Sequence, residues 1–155
     1  MVTAYIVINI RGTVNIPHGV KKTLKHLNLE TRYRATVISD NKINQGMLLK
    51  AKEYLAWTKA DSKIIAQLLK NKGEKSKTIK YSNDLVKQIG FTDIDDLAQA
   101  LIDNRISISK ISNLKPSFRL SPPRGGFKKS TRRMYSQGGT LGYNPDLLNI
   151  LSNMM

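Results

Sequence analysis

The sequence predicts a fold of the α/β (α+β) class, in which a two-layer β-α-β-α-β core is followed by a helical insert and a basic, extended tail. Three observations support this prediction. Apolar residues alternate along "AYIVINIR" as in a strand, and strand and helix periods then take turns up to residue 59. Helical periods alone follow between residues 60 and 103, and residues 104–145 contain no acid. With 155 residues, 40% of them hydrophobic, the chain is long enough to bury a core.

Three strands are predicted in the first 59 residues. The isoleucines of "AYIVINIR" fall on one side, which is the pattern of a strand with a single buried face, and Arg11 and Gly12 end this strand. The second strand spans Arg34 to Ser39 and the third spans residues 54–59. Such a unit buries its helices on one sheet face and leaves the other face open or covered by another element.

Two helices are predicted between these strands. Pro17 suits the first turn of the first helix, whose lysines point away from its apolar stripe. The stripe consists of Val20, Leu24 and Leu27. Asn44 is predicted to cap the second helix, from which Lys50 and Lys52 reach outwards. The core side of that helix consists of Met47, Leu48 and Ala51.

The middle of the chain is predicted to be helical. Asp61 caps a helix that stops at Gly73, and a further helix begins after Thr92. Three acids lie in the first turn of the latter, namely Asp93, Asp95 and Asp96. The helix dipole favours acids there, and no histidine or further acid converges with them. Capping is therefore favoured over a metal or catalytic carboxylate site.

The charge of the chain indicates a polyanionic partner. Lys and Arg number 26 against 11 Asp and Glu, giving a net charge of +15, which is more than solubility requires. The absence of cysteine excludes a disulfide scaffold and thiolate metal sites. No basic segment precedes the first apolar run, which is too short to span a bilayer, so we expect an intracellular, soluble protein.

The basic charge is concentrated at both ends of the fold. Residues 1–59 hold ten basic and three acidic residues, whereas residues 60–103 hold seven of each. Residues 104–145 hold nine basic residues and no acid. An acid-free run of this length favours a surface that lies against phosphate over a solvated loop. The neutral middle segment is expected to contribute structure or protein contacts more than nucleic-acid binding.

The stretch "FRLSPPRGGFKKSTRR" has no apolar repeat that predicts an independent fold. Its two prolines stiffen the backbone, whereas its glycines permit sharp turns. We expect the segment from about Lys115 to Tyr143 to be mobile in the free protein and ordered by a bound anion. The aromatic side chains of this segment can stack on unpaired bases or on sugar faces, or pin the segment to the domain; they are Phe118, Phe127, Tyr135 and Tyr143.

Three motifs in sequence order carry a family resemblance. They are "INIRGTVNIPHGVKKTLKHLNL", "NQGMLLKAKEYLAW", and "FRLSPPRGGFKKS" followed by "GGTLGYN". Together they resemble the universal large-subunit ribosomal protein thirty family, in its long archaeal form, which is related to the eukaryotic large-subunit protein seven. The resemblance covers essentially the whole chain. It implies a distantly ferredoxin-like core, with two helices on one face of a three-stranded sheet.

The resemblance also implies the function and the organisation of the chain. We expect an RNA-binding core over residues 1–59, a helical extension over 60–110, and a basic Gly/Pro-rich tail over 111–155 that ends in a short helix. The implied function is a structural constituent of the large ribosomal subunit that binds folded ribosomal RNA in the cytoplasm. The implied partners are large-subunit ribosomal RNA, near the 5S RNA, and neighbouring ribosomal proteins. No membrane, small-molecule substrate or cofactor is expected.

The candidate RNA-binding residues lie in the core and in the tail. Basic side chains, a close backbone turn and a helix N-terminus are the features that contact phosphate. The core candidates are Arg11, Gly12, Lys21, Lys22, Lys25, Arg32, Arg34, Gln45, Gly46, Lys50 and Lys52. The tail candidates are Arg119, Arg124, Lys128, Lys129, Arg132, Arg133 and Tyr135. Recognition of a tertiary RNA shape is expected, because side chains do not reach the deep major groove of paired RNA.

Other classes of function fit the sequence less well. His18 and His26 are the only histidines, and no set of nucleophile, base and orienting group can be proposed, so an enzyme is not expected. An RNA-recognition domain requires aromatic clusters on its central strands, and the first strand offers Tyr5 alone. The remaining alternative is a general nucleic-acid-binding protein, either chromatin-like or an RNA chaperone, which charge alone permits.

Overall fold

The computed structural model describes residues 3–155, and within them it shows a mixed sheet of six strands. The strands are β1 (Ala4–Asn9), β2 (Arg34–Ser39), β3 (Leu55–Lys59), β4 (Phe118–Arg119), β5 (Ser130–Met134) and β6 (Gly139–Tyr143). Their order across the sheet is β4-β2-β1-β3-β6-β5. β1 pairs antiparallel with β2 and β3, and β6 runs parallel to β3. The three predicted strands are therefore adjacent and form the centre of the sheet.

The helices of the same residues follow the predicted order. They are α1 (His18–His26), α2 (Lys42–Lys50), α3 (Ser62–Lys72), α4 (Asn83–Gln88), α5 (Ile94–Ile102) and α6 (Leu147–Met154). Asp61 caps α3 as predicted. The cap of α2 is Asn41 instead of Asn44, because the Asn41 side-chain oxygen accepts a hydrogen bond of 2.7 Å from the Asn44 amide. α2 therefore begins earlier than predicted.

Helices α1 and α2 pack on one face of the central strands, as predicted. Val7 of β1 and Trp57 of β3 meet Leu24 and Leu48 of these helices in one buried cluster. Lys21, Lys22 and Lys25 remain exposed on the outer side of α1. The amphipathic pattern of α1 was therefore sufficient to predict which side of the helix is buried.

The opposite face of the sheet is also buried, which corrects the prediction of a single buried face for β1. Ile6, Ile8 and Ile10 are fully buried in a larger cluster with residues of α3, α4, α5 and α6. The alternating pattern of the first strand separated two faces correctly. It did not reveal that both faces are buried, because the isoleucine face is covered by α3 to α6, which are distant in sequence.

The implied three-stranded sheet is corrected to six strands, because the tail adds strands at both edges. β4 pairs with β2, and Phe118 is only 1% exposed. Leu141 of β6 is 1% exposed. The strand β5 approaches β6 so closely that a Cβ on Gly139 would overlap the Arg133 carbonyl. The apolar side chains of the tail thus join the core, which the local sequence did not predict.

Tyr81 gives the fold a testable dependence on pH. Its ring is 4% exposed, and burial raises its pKa to about 12. An unfolded tyrosine titrates near ~10, so this group stabilises the fold fully below that pH, and its contribution is lost as the pH rises towards 12. We expect Tyr81→Phe to reduce the fall in unfolding free energy between pH 9 and 12 by about 2 kcal/mol. Urea titrations of both proteins across this pH range measure the unfolding free energy. If it falls equally with pH in both proteins, the assignment to Tyr81 is contradicted.

Candidate nucleic-acid interface

The sheet topology brings four arginines to one end of the strands. β1 ends where β2 and β3 begin, and β4 ends beside the start of β2. The residues at this end are Arg11, Arg32, Arg34 and Arg119, which we call the strand-end surface. Arg11, Arg32 and Arg119 are exposed, and Arg34 is half-buried. These predicted residues are up to 108 positions apart in the sequence, and the fold places them at the same end of the strands.

Two arginines of this surface face each other across paired strands. Arg34 of β2 and Arg119 of β4 are direct cross-strand partners. Like charges in such a position oppose folding. The Arg34 guanidinium donates to Thr31 Oγ1 at 2.6 Å and to Ser117 Oγ at 2.9 Å, so it is held by neutral groups and not by a carboxylate. A bound anion between the two arginines would relieve their repulsion.

The turn at Arg11 and Gly12 is fixed by a buried asparagine. Asn9 Nδ2 donates to the Leu29 carbonyl at 2.8 Å, and its side-chain oxygen accepts from the Gly12 amide at 2.8 Å. Gly12 has a φ of 84°, which favours glycine. Arg32 Nε also donates to the Ile10 carbonyl at 2.9 Å. Sequence reasoning missed Asn9, since a lone asparagine within a strand pattern carries no sign of this role.

Aromatic rings orient the guanidinium groups of the strand-end surface. The Arg11 guanidinium carbon lies 5.2 Å from the centre of the Tyr54 ring, and that of Arg32 lies 4.7 Å from the centre of Tyr33. Such cation–π contacts restrict the side chains without neutralising their charge. Arg11 also donates to the Glu53 carbonyl at 3.2 Å. The positive charge is therefore held in place and remains available to an anion.

The predicted residues of α2 lie at different ends of the fold. Lys50 at the end of α2 lies against Gly19 of α1, near the lysines of that helix. Gln45 and Gly46 lie near the start of α2, which follows the opposite end of β2. Gln45 Nε2 donates to Asp40 Oδ1 at 2.5 Å.

Asp40 occupies the helix N-terminus where sequence reasoning expected a phosphate. The hydrogen bonds donated by Gln45 and by Thr3 hold the pKa of this carboxyl below its usual value. The group is therefore ionised near neutral pH. A carboxylate thus already lies at the start of α2 and engages Gln45. Gln45 and Gly46 lie apart from the strand-end surface, because α2 follows the end of β2 whereas that surface lies at the start of β2.

Two of the tail candidates are engaged within the fold. Lys129 Nζ lies 3.7 Å from Asp146 Oδ2 and 4.5 Å from the centre of the Tyr135 ring. The Tyr135 hydroxyl donates to the same carboxylate at 3.1 Å. Phe118 pins the tail to the domain, and Phe127 stacks on Tyr33 with ring centres 6.3 Å apart.

The other tail candidates are exposed and free of acidic partners in the described part of the chain. The four ion pairs between residues 3 and 155 join Lys70 to Asp95, Arg105 to Asp103, Lys115 to Glu74, and Lys129 to Asp146. The exposed tail cations outside these pairs are Arg119, Arg124, Lys128, Arg132 and Arg133. The tail therefore extends the unneutralised positive charge of the strand-end surface.

Between residues 3 and 155, no three side chains of His, Asp or Glu gather into a group that could hold a metal ion. None of the helices described is long and apolar enough to cross a membrane.

Known proteins resemble this chain over its whole length. The family model described as "Ribosomal protein L30p/L7e" matches residues 5–55. "Large ribosomal subunit protein uL30" of Cenarchaeum symbiosum (strain A) is 40% identical over 155 residues, which is 100% of both chains. The protein of the same name from Nitrosopumilus maritimus (strain SCM1) is 37% identical over the full length of both chains. The chain belongs to this family.

The uL30 family match divides the interface into two parts. Residues 5–55 contain the turn at Arg11 and two further arginines of the strand-end surface. Arg119 and the tail lie outside that match. The protein of the same name from Nanoarchaeum equitans (strain Kin4-M) is 33% identical over 148 residues, and the alignment covers 95% of each chain. Full-length uL30 relatives thus span the tail as well as the core.

Proposed function

We propose that this chain is a structural, non-enzymatic constituent of the large ribosomal subunit, which binds and stabilises folded ribosomal RNA in the cytoplasm. The observation that carries the proposal is the pair formed by Arg34 and Arg119 on neighbouring strands. Two like charges in direct opposition indicate a site completed by an anion. RNA phosphates supply this anion, and arginine forks match their geometry. Membership of the uL30 family supports the same conclusion.

The remaining exposed cations extend this site beyond a single phosphate. Arg11 and Arg32 continue the phosphate-binding site along the strand ends. Arg124 and Lys128 continue it along the tail. Contacts of this kind read the backbone and shape of RNA more than its sequence. The proposed organisation is an RNA-binding core, a helical extension and a basic tail, with residues 60–103 serving structure or neighbouring ribosomal proteins. The zero net charge of that segment and the ion pair of Lys70 with Asp95 support this division.

Two finer features belong to the proposal. A position near the 5S RNA is supported by the family resemblance. A distant ferredoxin-like relationship of the core is supported by α1 and α2, which pack on one face of three antiparallel strands.

The salt dependence of RNA binding tests the proposed function. The probes are transcribed large-subunit ribosomal RNA of Nitrosopumilus maritimus, an equal mass of unrelated structured RNA, and duplex DNA. If the protein contacts ~6 to 10 phosphates, the affinity falls by ~10³ to 10⁵ between 50 and 200 mM salt. We expect this steep dependence together with a clear preference for the ribosomal RNA at every salt concentration.

Equal affinity for all three probes would contradict the proposal and would favour a general nucleic-acid-binding protein. The intact chain is the appropriate protein for this measurement, because the tail supplies two central parts of the fold, Phe118 and Leu141.

A further inference from the structure

A groove of about 310 Å³ lies between the tail and the last helix. Its walls are the tail segment 123–129, the strand β6 with the turn that follows it, and one side of α6. The backbone amide of Arg124 donates to the Asn153 carbonyl at 3.1 Å, which fixes the tail segment to the end of α6. The volume is at the lower end of the ~300 to 1,000 Å³ typical of small-ligand sites. One nucleotide-sized group is therefore the scale of occupant that fits.

The walls of the groove carry two kinds of polar group. Arg124 and Lys128 line it and are exposed, with no acidic partner among the described residues. Asn149 and Asn153 line it from α6, one helical turn apart and therefore on one face. The side-chain amides of both asparagines make no hydrogen bond within residues 3–155, and both residues are exposed. The groove thus offers cations for a phosphate beside free amides that both donate and accept.

The acid in the groove does not oppose an anionic ligand. Asp146 lines the groove, but its carboxylate contacts the Lys129 ammonium at 3.7 Å and accepts a hydrogen bond from the Tyr135 hydroxyl. Asn144 is 1% exposed, and its side chain donates to the Thr140 carbonyl and accepts from the Asp146 amide. Ile150 and Phe127 complete the wall as apolar surface, and Phe127 is braced by its stacking on Tyr33.

We propose that this groove binds one unpaired nucleotide that is extruded from the RNA. The base edge pairs with the amides of Asn149 and Asn153, the base rests against Phe127 and Ile150, and the phosphate lies near Arg124 and Lys128. Amides and stacking surfaces are the groups by which proteins recognise unstacked bases. A paired duplex is too wide to enter. The inference rests on the proposed function, which it extends from backbone contacts to recognition of a single base.

The test compares two variants of the full-length protein on the transcribed large-subunit ribosomal RNA of Nitrosopumilus maritimus. Asn149→Ala/Asn153→Ala removes both amides, and Ser152→Ala is the control, because Ser152 is an exposed polar residue of the same helix that does not line the groove. We expect the double variant to lose ~10-fold in affinity, since each lost base contact weakens binding several-fold, with an unchanged salt slope because no charge is removed. Chemical probing of the bound RNA should show one nucleotide that is protected by the wild type and Ser152→Ala but reactive with the double variant.

The possible results distinguish a failure of the nucleotide-binding inference from a failure of the proposed function. If the wild type shows no preference for ribosomal RNA, the proposed function fails. If the wild type binds selectively and the double variant has the same affinity and the same pattern of protection, the groove does not hold a nucleotide and the inference is overturned. Circular dichroism of both variants checks that α6 is retained.

Discussion

Replacing Arg119, Arg124 and Lys128 together by glutamate is expected to lower the affinity for large-subunit ribosomal RNA by ~10³-fold at moderate salt. Each substitution removes one phosphate contact and adds a repulsive charge, and a loss of about tenfold per site corresponds to about 1.4 kcal/mol. The side chains of these residues are exposed and form no ion pair within the described chain, so the fold should be retained. The slope of log affinity against log salt should also become less steep by about 2 to 3 units.

A matched triple variant distinguishes the effect of where the charges lie from the effect of net charge. Lys70, Lys72 and Lys87 lie in the neutral middle segment, and their replacement by glutamate changes the net charge by the same amount. Charges farther from the RNA than ~10 Å are largely screened at 0.1 M salt. We expect this control to lose less than about tenfold in affinity. Similar losses in both triple variants would show that net charge governs binding and would contradict the interface described above.

Phe118→Ala is expected to have the largest effect on stability of any substitution in the tail. The ring is 1% exposed within the larger core cluster, and a Phe→Ala change at such a site destabilises by ~3 to 5 kcal/mol. Phe127→Ala is the control, because its ring is only half-buried, and we expect a loss of about 1 kcal/mol. Thermal unfolding measures both, with a midpoint for Phe118→Ala lowered by about 10 °C.

Truncation after Leu114 is expected to abolish cooperative unfolding altogether. It removes the strands β4, β5 and β6, the helix α6 and several buried side chains of the larger cluster. The removed buried side chains are Phe118, Leu120, Leu141, Leu147, Leu151 and Met154. Their combined burial, at ~1.5 to 3 kcal/mol each, is comparable with the whole ~5 to 15 kcal/mol stability of a domain. A truncated chain that melts cooperatively at the original midpoint would show that the tail is not part of the core.

The regular elements of the core were predictable because they depend on local periods. The boundaries of β2 matched the prediction at both ends, and Asp61 and Gly73 were correct as the limits of α3. The error at the start of α2 had a local cause, since Asn41 and Asn44 are both acceptable caps by residue type. Only the hydrogen bond from the Asn44 amide to Asn41 decides between them.

The tail was the least predictable part of the fold. Its isolated apolar residues, such as Phe118 and Leu141, show no period, so the sequence indicated an order that depends on RNA. In the structure these residues are anchored by strands that pair with β2 and β3. Order on binding remains a prediction for the exposed segment 125–129, which lies between the Arg124 amide bonded to Asn153 and the start of β5. Amide exchange of the free protein should be slow near Leu141 and fast in that segment.

The sequence by itself determined the chemistry of this protein and the order of its first three strands and the helices between them: the excess of basic side chains and the acid-free run of residues 104–145 can be read directly. These properties are local or additive, so they can be counted along the chain. Only the tertiary structure decided which cations meet. It placed Arg34 opposite Arg119 and put Arg124 and Asn149 on the walls of one groove, because strand pairing and burial join residues that are distant in sequence.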